Sequence, residues 1–152
     1  MSSLWPYATP GIPDHLFQQL PGIPLTKRDV RLLVMGYLRL KPDAHLWDIG
    51  AGTGTVAIEA ALLCPKGKIT AVERDEEVAG LIKTNCDRFD ITNVDVIAGN
   101  APECLHRIEG RPNCILIEGA PLKATLEAAW KNLDINGRIV VSASNLESLY
   151  TA

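Results

Sequence analysis

The chain reads as an α/β domain with a mostly parallel sheet and helices on both of its faces. Three observations predict this. Short apolar runs recur at 45–49, 68–72, 94–98, 113–117 and 138–143, about five strands in all. Each of the first four is followed by a stretch with helical character. The runs are also almost continuously apolar, as strands covered on both faces are, rather than alternating like strands with one wet face. At 152 residues and 47% apolar composition, with no internal repeat, a single such domain is expected.

Residues 1–25 form an irregular lead segment rich in Pro and Gly, including Pro10-Gly11-Ile12-Pro13 and Pro21-Gly22-Ile23-Pro24, with a short helical turn expected at 14–19. Residues 26–152 are assigned to the folded domain. Its first helix should run from Thr26 to about residue 38, with Thr26 as N-cap and Asp29 three residues on as a capping-box variant. Val30, Leu33, Val34 and Tyr37 give that helix one apolar stripe. Further helices are expected at 54–64, 76–89, 102–108 and 122–133. Asp75 can cap the second of these, with Glu76 and Glu77 favourable in its first turn. Pro102 suits the first position of the third. Asn136-Gly137 is a strong turn before the last strand.

The first strand runs into Asp48-Ile49-Gly50-Ala51-Gly52-Thr53-Gly54, a glycine-rich turn that opens a helix. Glycines at alternate positions let the backbone turn sharply and approach a ligand without Cβ clashes. The helix start adds N–H groups and a partial positive charge. Glu73 ends the next apolar run, 23 positions after Gly50, a spacing that suits a carboxylate accepting from the two ribose hydroxyls of a nucleoside. The pattern is G-x-G-x-G, with Thr55 where a dinucleotide fingerprint would place its third glycine, which disfavours a nicotinamide dehydrogenase. A tight strand-to-helix turn that binds nothing explains the glycines alone, but not the turn, helix and spaced acid together.

Composition narrows the remaining classes. A net charge of −3 with no basic tract disfavours a nucleic-acid partner, an RNA methyltransferase included. The N-terminal residues lack the basic and apolar regions of a signal peptide, and no apolar run reaches a membrane-spanning length. Cys64, Cys86, Cys104 and Cys114 make no C-x-x-C pair, and His15, His45 and His106 are scattered. No metal site is expected, and the thiols read as buried and reduced, in keeping with a cytoplasmic location.

The glycine turn with Asp48 resembles the first motif of class I S-adenosylmethionine methyltransferases, whose fold is Rossmann-like. The whole chain resembles a narrower family. Gly11-Ile12-Pro13-Asp14, then Gly22-Ile23-Pro24-Leu25-Thr26-Lys27, then the glycine turn, then Ala98-Gly99-Asn100-Ala101-Pro102-Glu103 are similar to the decarboxylating precorrin-6Y C(5,15)-methyltransferases of cobalamin (vitamin B12) biosynthesis, and most to their stand-alone methyltransferase and decarboxylase subunit. The doubled Gly-Ile-Pro lead is the more specific part of the resemblance.

What the resemblance implies is methyl transfer from S-adenosylmethionine to carbon 15 of a precorrin tetrapyrrole, with decarboxylation of the ring C acetate. It implies that Gly50, Ala51, Gly52, Thr53 and Gly54 wrap the methionine end of the cofactor and that Glu73 holds the ribose. Ala101, beside Asn100, would meet the adenine, and Thr26 would approach from the lead. It also implies a homo-oligomer, a tetramer in the family. No catalytic side chain is identified. The acceptor carries many carboxylates, so basic residues should meet it, and Lys27, Arg28 and Arg31 are the candidates, against a plain solvated helix face.

Two departures stand out. The loop Ile117-Glu118-Gly119-Ala120-Pro121 is less glycine- and serine-rich than the family leads one to expect, and Glu118 is either a substrate-facing acid or a plain loop carboxylate. The family's sheet has seven strands, whereas residues 145–152 reach only the start of the next helix, so C-terminal truncation is expected and residues 138–143 become an apolar edge. Two alternatives stay open: a class I methyltransferase for another small molecule, and an inactive cofactor-binding module.

Overall fold

The computed structural model describes residues 2 and 4–151. Five strands, β1 (His45–Ile49), β2 (Lys68–Glu73), β3 (Val94–Ala98), β4 (Cys114–Glu118) and β5 (Arg138–Ser142), form one sheet in the order β3-β2-β1-β4-β5. Every neighbouring pair is parallel, with Ile49 opposite Val72 and Ile117, and Glu73 opposite Ala98. The chain steps outward from β1 to β3 and then returns to the other side of β1. The order therefore reverses between β1 and β4, and ligands of such sheets bind outside the carboxyl ends at that point.

Four helices of the described residues pack on the sheet, α1 (Arg28–Leu38), α2 (Thr55–Leu63), α3 (Glu76–Arg88) and α4 (Leu122–Asn132), while α5 (Leu146–Thr151) meets α4, and 3-10 turns lie at Asp14–Leu16 and Glu103–Arg107. The two-residue period of the strands sorts their side chains onto two cores. Leu46, Ile69, Ala71, Cys114 and Leu116 point to one face, where they pack with Val34, Met35 and Leu38 of α1, the apolar side of α2, and Ile82 and Cys86 of α3. Trp47, Ile49, Val72, Ile115 and Ile117 point to the other, against Ala129 of α4 and Cys104 and Leu105 of the second 3-10 turn. All four cysteines are buried free thiols, and burial pushes those of Cys64 and Cys86 up to about 11.

Three local expectations are corrected. The first concerns the start of α1, whose N-cap is Lys27 and not Thr26. The Thr26 hydroxyl is engaged elsewhere, and Asp14 takes over the capping task by accepting the Arg28 backbone N–H at 3.0 Å from the lead segment.

The second concerns which side of α1 faces inward. Arg31, Val34, Met35 and Leu38 are buried, whereas Leu33 and Tyr37 are 62% and 65% exposed. The helix is turned so that Arg31, at 0% exposure, reaches Glu59 of α2 at 3.0 Å and Asp14 at 2.7 Å. The guanidinium also donates to the carbonyls of Ile12 and Thr26 and lies over the Phe17 ring. Glu59 in turn accepts the N–H groups of Gly11 and Ile12. One guanidinium thus closes residues 12–26 into a strap pinned to α2.

The third correction is at residues 103–107, which form a 3-10 turn instead of an α-helix. Pro102 stands at its N-cap, after a cis Ala101–Pro102 bond. By contrast Asp75 does cap α3, its Oδ1 accepting from the N–H of Glu77 at 2.9 Å and of Val78 at 3.1 Å.

Candidate functional site

A cleft of about 900 Å³ opens at the carboxyl ends of the strands, within the size range of small-molecule sites. Gly50 and Gly52 of the β1 turn line it, as do Glu73, Arg74 and Asp75 after β2, residues 99–102 after β3, and Glu118 to Pro121 after β4; Ile23 and Pro24 come from the strap.

The three glycines have different reasons. A Cβ on Gly50 would lie 1.7 Å from the carbonyl oxygen of Glu118, so the turn passes β4 too closely for any side chain. A Cβ on Gly54 would lie 2.8 Å from Ile82, so this glycine lets α2 and α3 close together. Gly52 adopts φ 53° and donates its N–H to Glu73 Oε2 at 2.9 Å.

Glu73 also accepts the Asp75 N–H through Oε1 at 3.1 Å. Its carboxylate therefore ties the glycine turn to the start of α3, while its remaining lone pairs stay available to hydroxyl donors. Of the residues singled out from the sequence, Gly50, Gly52, Glu73 and Ala101 meet on this cleft, together with Asn100. Ala51, Thr53 and Gly54 are buried behind the turn. Thr26 reaches it indirectly, donating its hydroxyl to Glu118 Oε2 at 2.9 Å.

Lys27, Arg28 and Arg31 do not line the cleft. Arg31 is consumed by the strap, and Arg28 donates Nε–H to the Gly11 carbonyl at 2.8 Å. The basic residues that do line it are Arg74, His106 and Arg107, which the sequence reading passed over. Their signal was positional: Arg74 directly follows the acid that ends β2, and the other two lie in the turn after β3.

Asp48 lies beneath the turn, fully buried. Neither of its oxygens has a side-chain hydrogen-bond partner among the described residues. Burial, reinforced by the nearby charges of Glu118 and then Glu73, holds its carboxyl well above the usual carboxylate range; the Ala57 amide works the other way without reversing the shift. No group of His, Cys, Asp and Glu among the described residues could hold a metal ion, and no helix there is long and apolar enough to cross a membrane.

This chain is similar to proteins named as precorrin methyltransferases. The precorrin methyltransferase domain family matches residues 18–151. A protein of Pyrobaculum calidifontis named probable cobalt-precorrin-6B C(15)-methyltransferase (decarboxylating) is 40% identical over 151 residues, spanning 97% of this chain and 77% of that protein. The cobalt-precorrin-6B C(15)-methyltransferase (decarboxylating) of Salmonella typhimurium is 37% identical over 141 residues, 91% of this chain and 72% of its own length. Among solved structures, the precorrin-6Y C5,15-methyltransferase of Geobacter metallireducens superposes with a TM-score of 0.87 at 36% identity, covering 93% of this chain and 74% of the other.

Proposed function

Since the chain belongs to the family of precorrin methyltransferase domains, with the Rossmann-like class I methyltransferase fold, we propose that it methylates a precorrin at carbon 15, using S-adenosylmethionine, and decarboxylates the ring C acetate, in cobalamin biosynthesis. The observation that carries the reading is the convergence of Gly50, Gly52, Glu73 and Ala101 on one cleft at the switch point of the sheet.

The residues present fit the cofactor. Glu73 has acceptor capacity for ribose hydroxyls, and the side-chain-free Gly50 and Gly52 leave the middle of the cleft open. Asn100 and Ala101 offer an edge for a purine. Bound there, S-adenosylmethionine supplies an electrophilic methyl group on a sulfonium. The protein's task is then to hold donor and acceptor in line and keep water out, which demands no nucleophile and no metal. Ile23 and Pro24 of the strap supply apolar wall for that purpose, and Arg74 and Arg107 supply cationic partners for acceptor carboxylates, with the His106 imidazole beside them. Ala51, Thr53 and Gly54 support the site from behind the turn, and Thr26 supports it through Glu118.

Calorimetric titration with S-adenosylhomocysteine tests this. The parent chain is expected to bind. Glu73→Ala should weaken binding by about tenfold or more, the worth of hydrogen bonds to a charged acceptor. A folded parent that binds no S-adenosylhomocysteine would overturn the reading.

A further inference from the structure

Glu118 occupies the cleft wall without a cation to balance it. Its carboxylate closes β4, half-buried, and among the described residues its one hydrogen bond comes from the Thr26 hydroxyl to Oε2. None of the ion pairs among the described residues includes it. Its position is nonetheless well determined. The Thr26 carbonyl accepts from Arg31 and, at 3.5 Å, from the Thr55 hydroxyl, so the hydroxyl that orients Glu118 is itself anchored. The main chain of Glu118 is wedged against Gly50. A carboxylate held on one oxygen and open on the other, with no ion-pair partner among the described residues, is complementary to a positive charge supplied from outside.

The strand order indicates which charge. Residues at the carboxyl ends follow the sequence β3, β2, β1, β4 across the sheet, which puts Ala101, Glu73, the Gly50–Gly52 turn and Glu118 in a row. Neighbouring strands lie about 4.8 Å apart, so the row is about 14 Å long, the reach of an extended adenosyl amino acid. With adenine at Ala101 and ribose on Glu73, the sulfur falls at the glycine turn and the amino-acid end falls at Glu118. We propose that Glu118 receives the α-ammonium group of the cofactor's amino-acid end through the carboxylate oxygen that Thr26 leaves open. This rests on the methyltransferase reading above and adds to it a residue that neither the glycine turn nor the spaced acid of β2 specifies.

The test compares two probes by calorimetry on the whole chain. S-adenosylhomocysteine carries the ammonium group; 5′-methylthioadenosine keeps the nucleoside and sulfur and lacks it. Glu118→Gln is expected to weaken S-adenosylhomocysteine by about tenfold to a hundredfold and to change 5′-methylthioadenosine by less than about twofold. Glu118→Asp, which keeps the charge on a shorter arm, gives the same comparison should the amide variant not fold. Equal weakening of both probes would mean that Glu118 only shapes the turn, and no weakening of either would mean that it faces away from the amino-acid end; each result overturns the proposal while leaving the methyltransferase reading intact. A folded parent that binds neither probe removes both.

Discussion

Asp48 is the residue with the most unusual surroundings in the molecule. In the folded chain it holds its proton far more tightly than the unfolded chain does, whose ordinary value is 3.8. The sign follows from linkage: more protons bound in the native state means that stability is fully present below the unfolded value and is lost as pH rises toward the folded one. The carboxyl is therefore expected to lower the unfolding midpoint between pH ~4 and neutrality, and Asp48→Asn should raise the midpoint at pH ~7 and flatten its pH dependence. Scanning calorimetry of both proteins across that range checks it; a variant less stable at neutral pH would refute the account. Which residues meet on the cleft was partly legible at this scale. Gly50, Gly52 and Glu73 are encoded by spacing along the chain. The Thr26–Glu118 hydrogen bond joins positions 92 apart, and no local pattern encodes such a partner.

Among the elements, α3 was legible to its cap because its N-terminal signals are local. Asp75→Ala should cost about 1 kcal/mol, visible as a lowered thermal midpoint. Helix α1 was legible in extent but not in orientation. Of the apolar stripe of Val30, Leu33, Val34 and Tyr37 only Val34 turns fully inward, and Arg31 takes the place of the others because Glu59, Asp14 and two carbonyls satisfy it there. Replacing one partner of such a buried pair leaves the other charge uncompensated. Arg31→Met is therefore expected to cost about 3–5 kcal/mol in urea unfolding. A loss below about 1 kcal/mol would mean that Glu59 and the strap re-form without the guanidinium.

For the molecule as a whole, the existence and direction of the strands follow from their apolar runs, while their lateral order does not, since pairing is decided between distant segments. That order leaves β5 paired only with β4 among the described residues. Trp130 of α4 and Ile135 of the turn before β5 are 72% and 88% exposed. Large apolar side chains left in water favour association, and we propose that this chain self-associates. Sedimentation velocity over a wide concentration range is expected to show species larger than the monomer, and Trp130→Glu with Ile135→Lys should shift the distribution toward the monomer. A monomer at every concentration would sink the proposal.

The contact between Gly50 and the Glu118 carbonyl bears on how such sequences drift. Because the neighbouring strand, and not the ligand, forbids a side chain at Gly50, a descendant that had lost its ligand altogether would still have to keep that glycine for the sheet to close. Gly52 faces no such barrier: its φ of 53° is open to asparagine, and a Cβ there would meet only the Pro24 carbonyl oxygen, at an ordinary 3.8 Å. In a lineage released from methyl transfer, Gly52 and Glu73 should be the first to wander and Gly50 the last. Loss of the pair, rather than survival of the first glycine, is the trace that retirement of the site would leave.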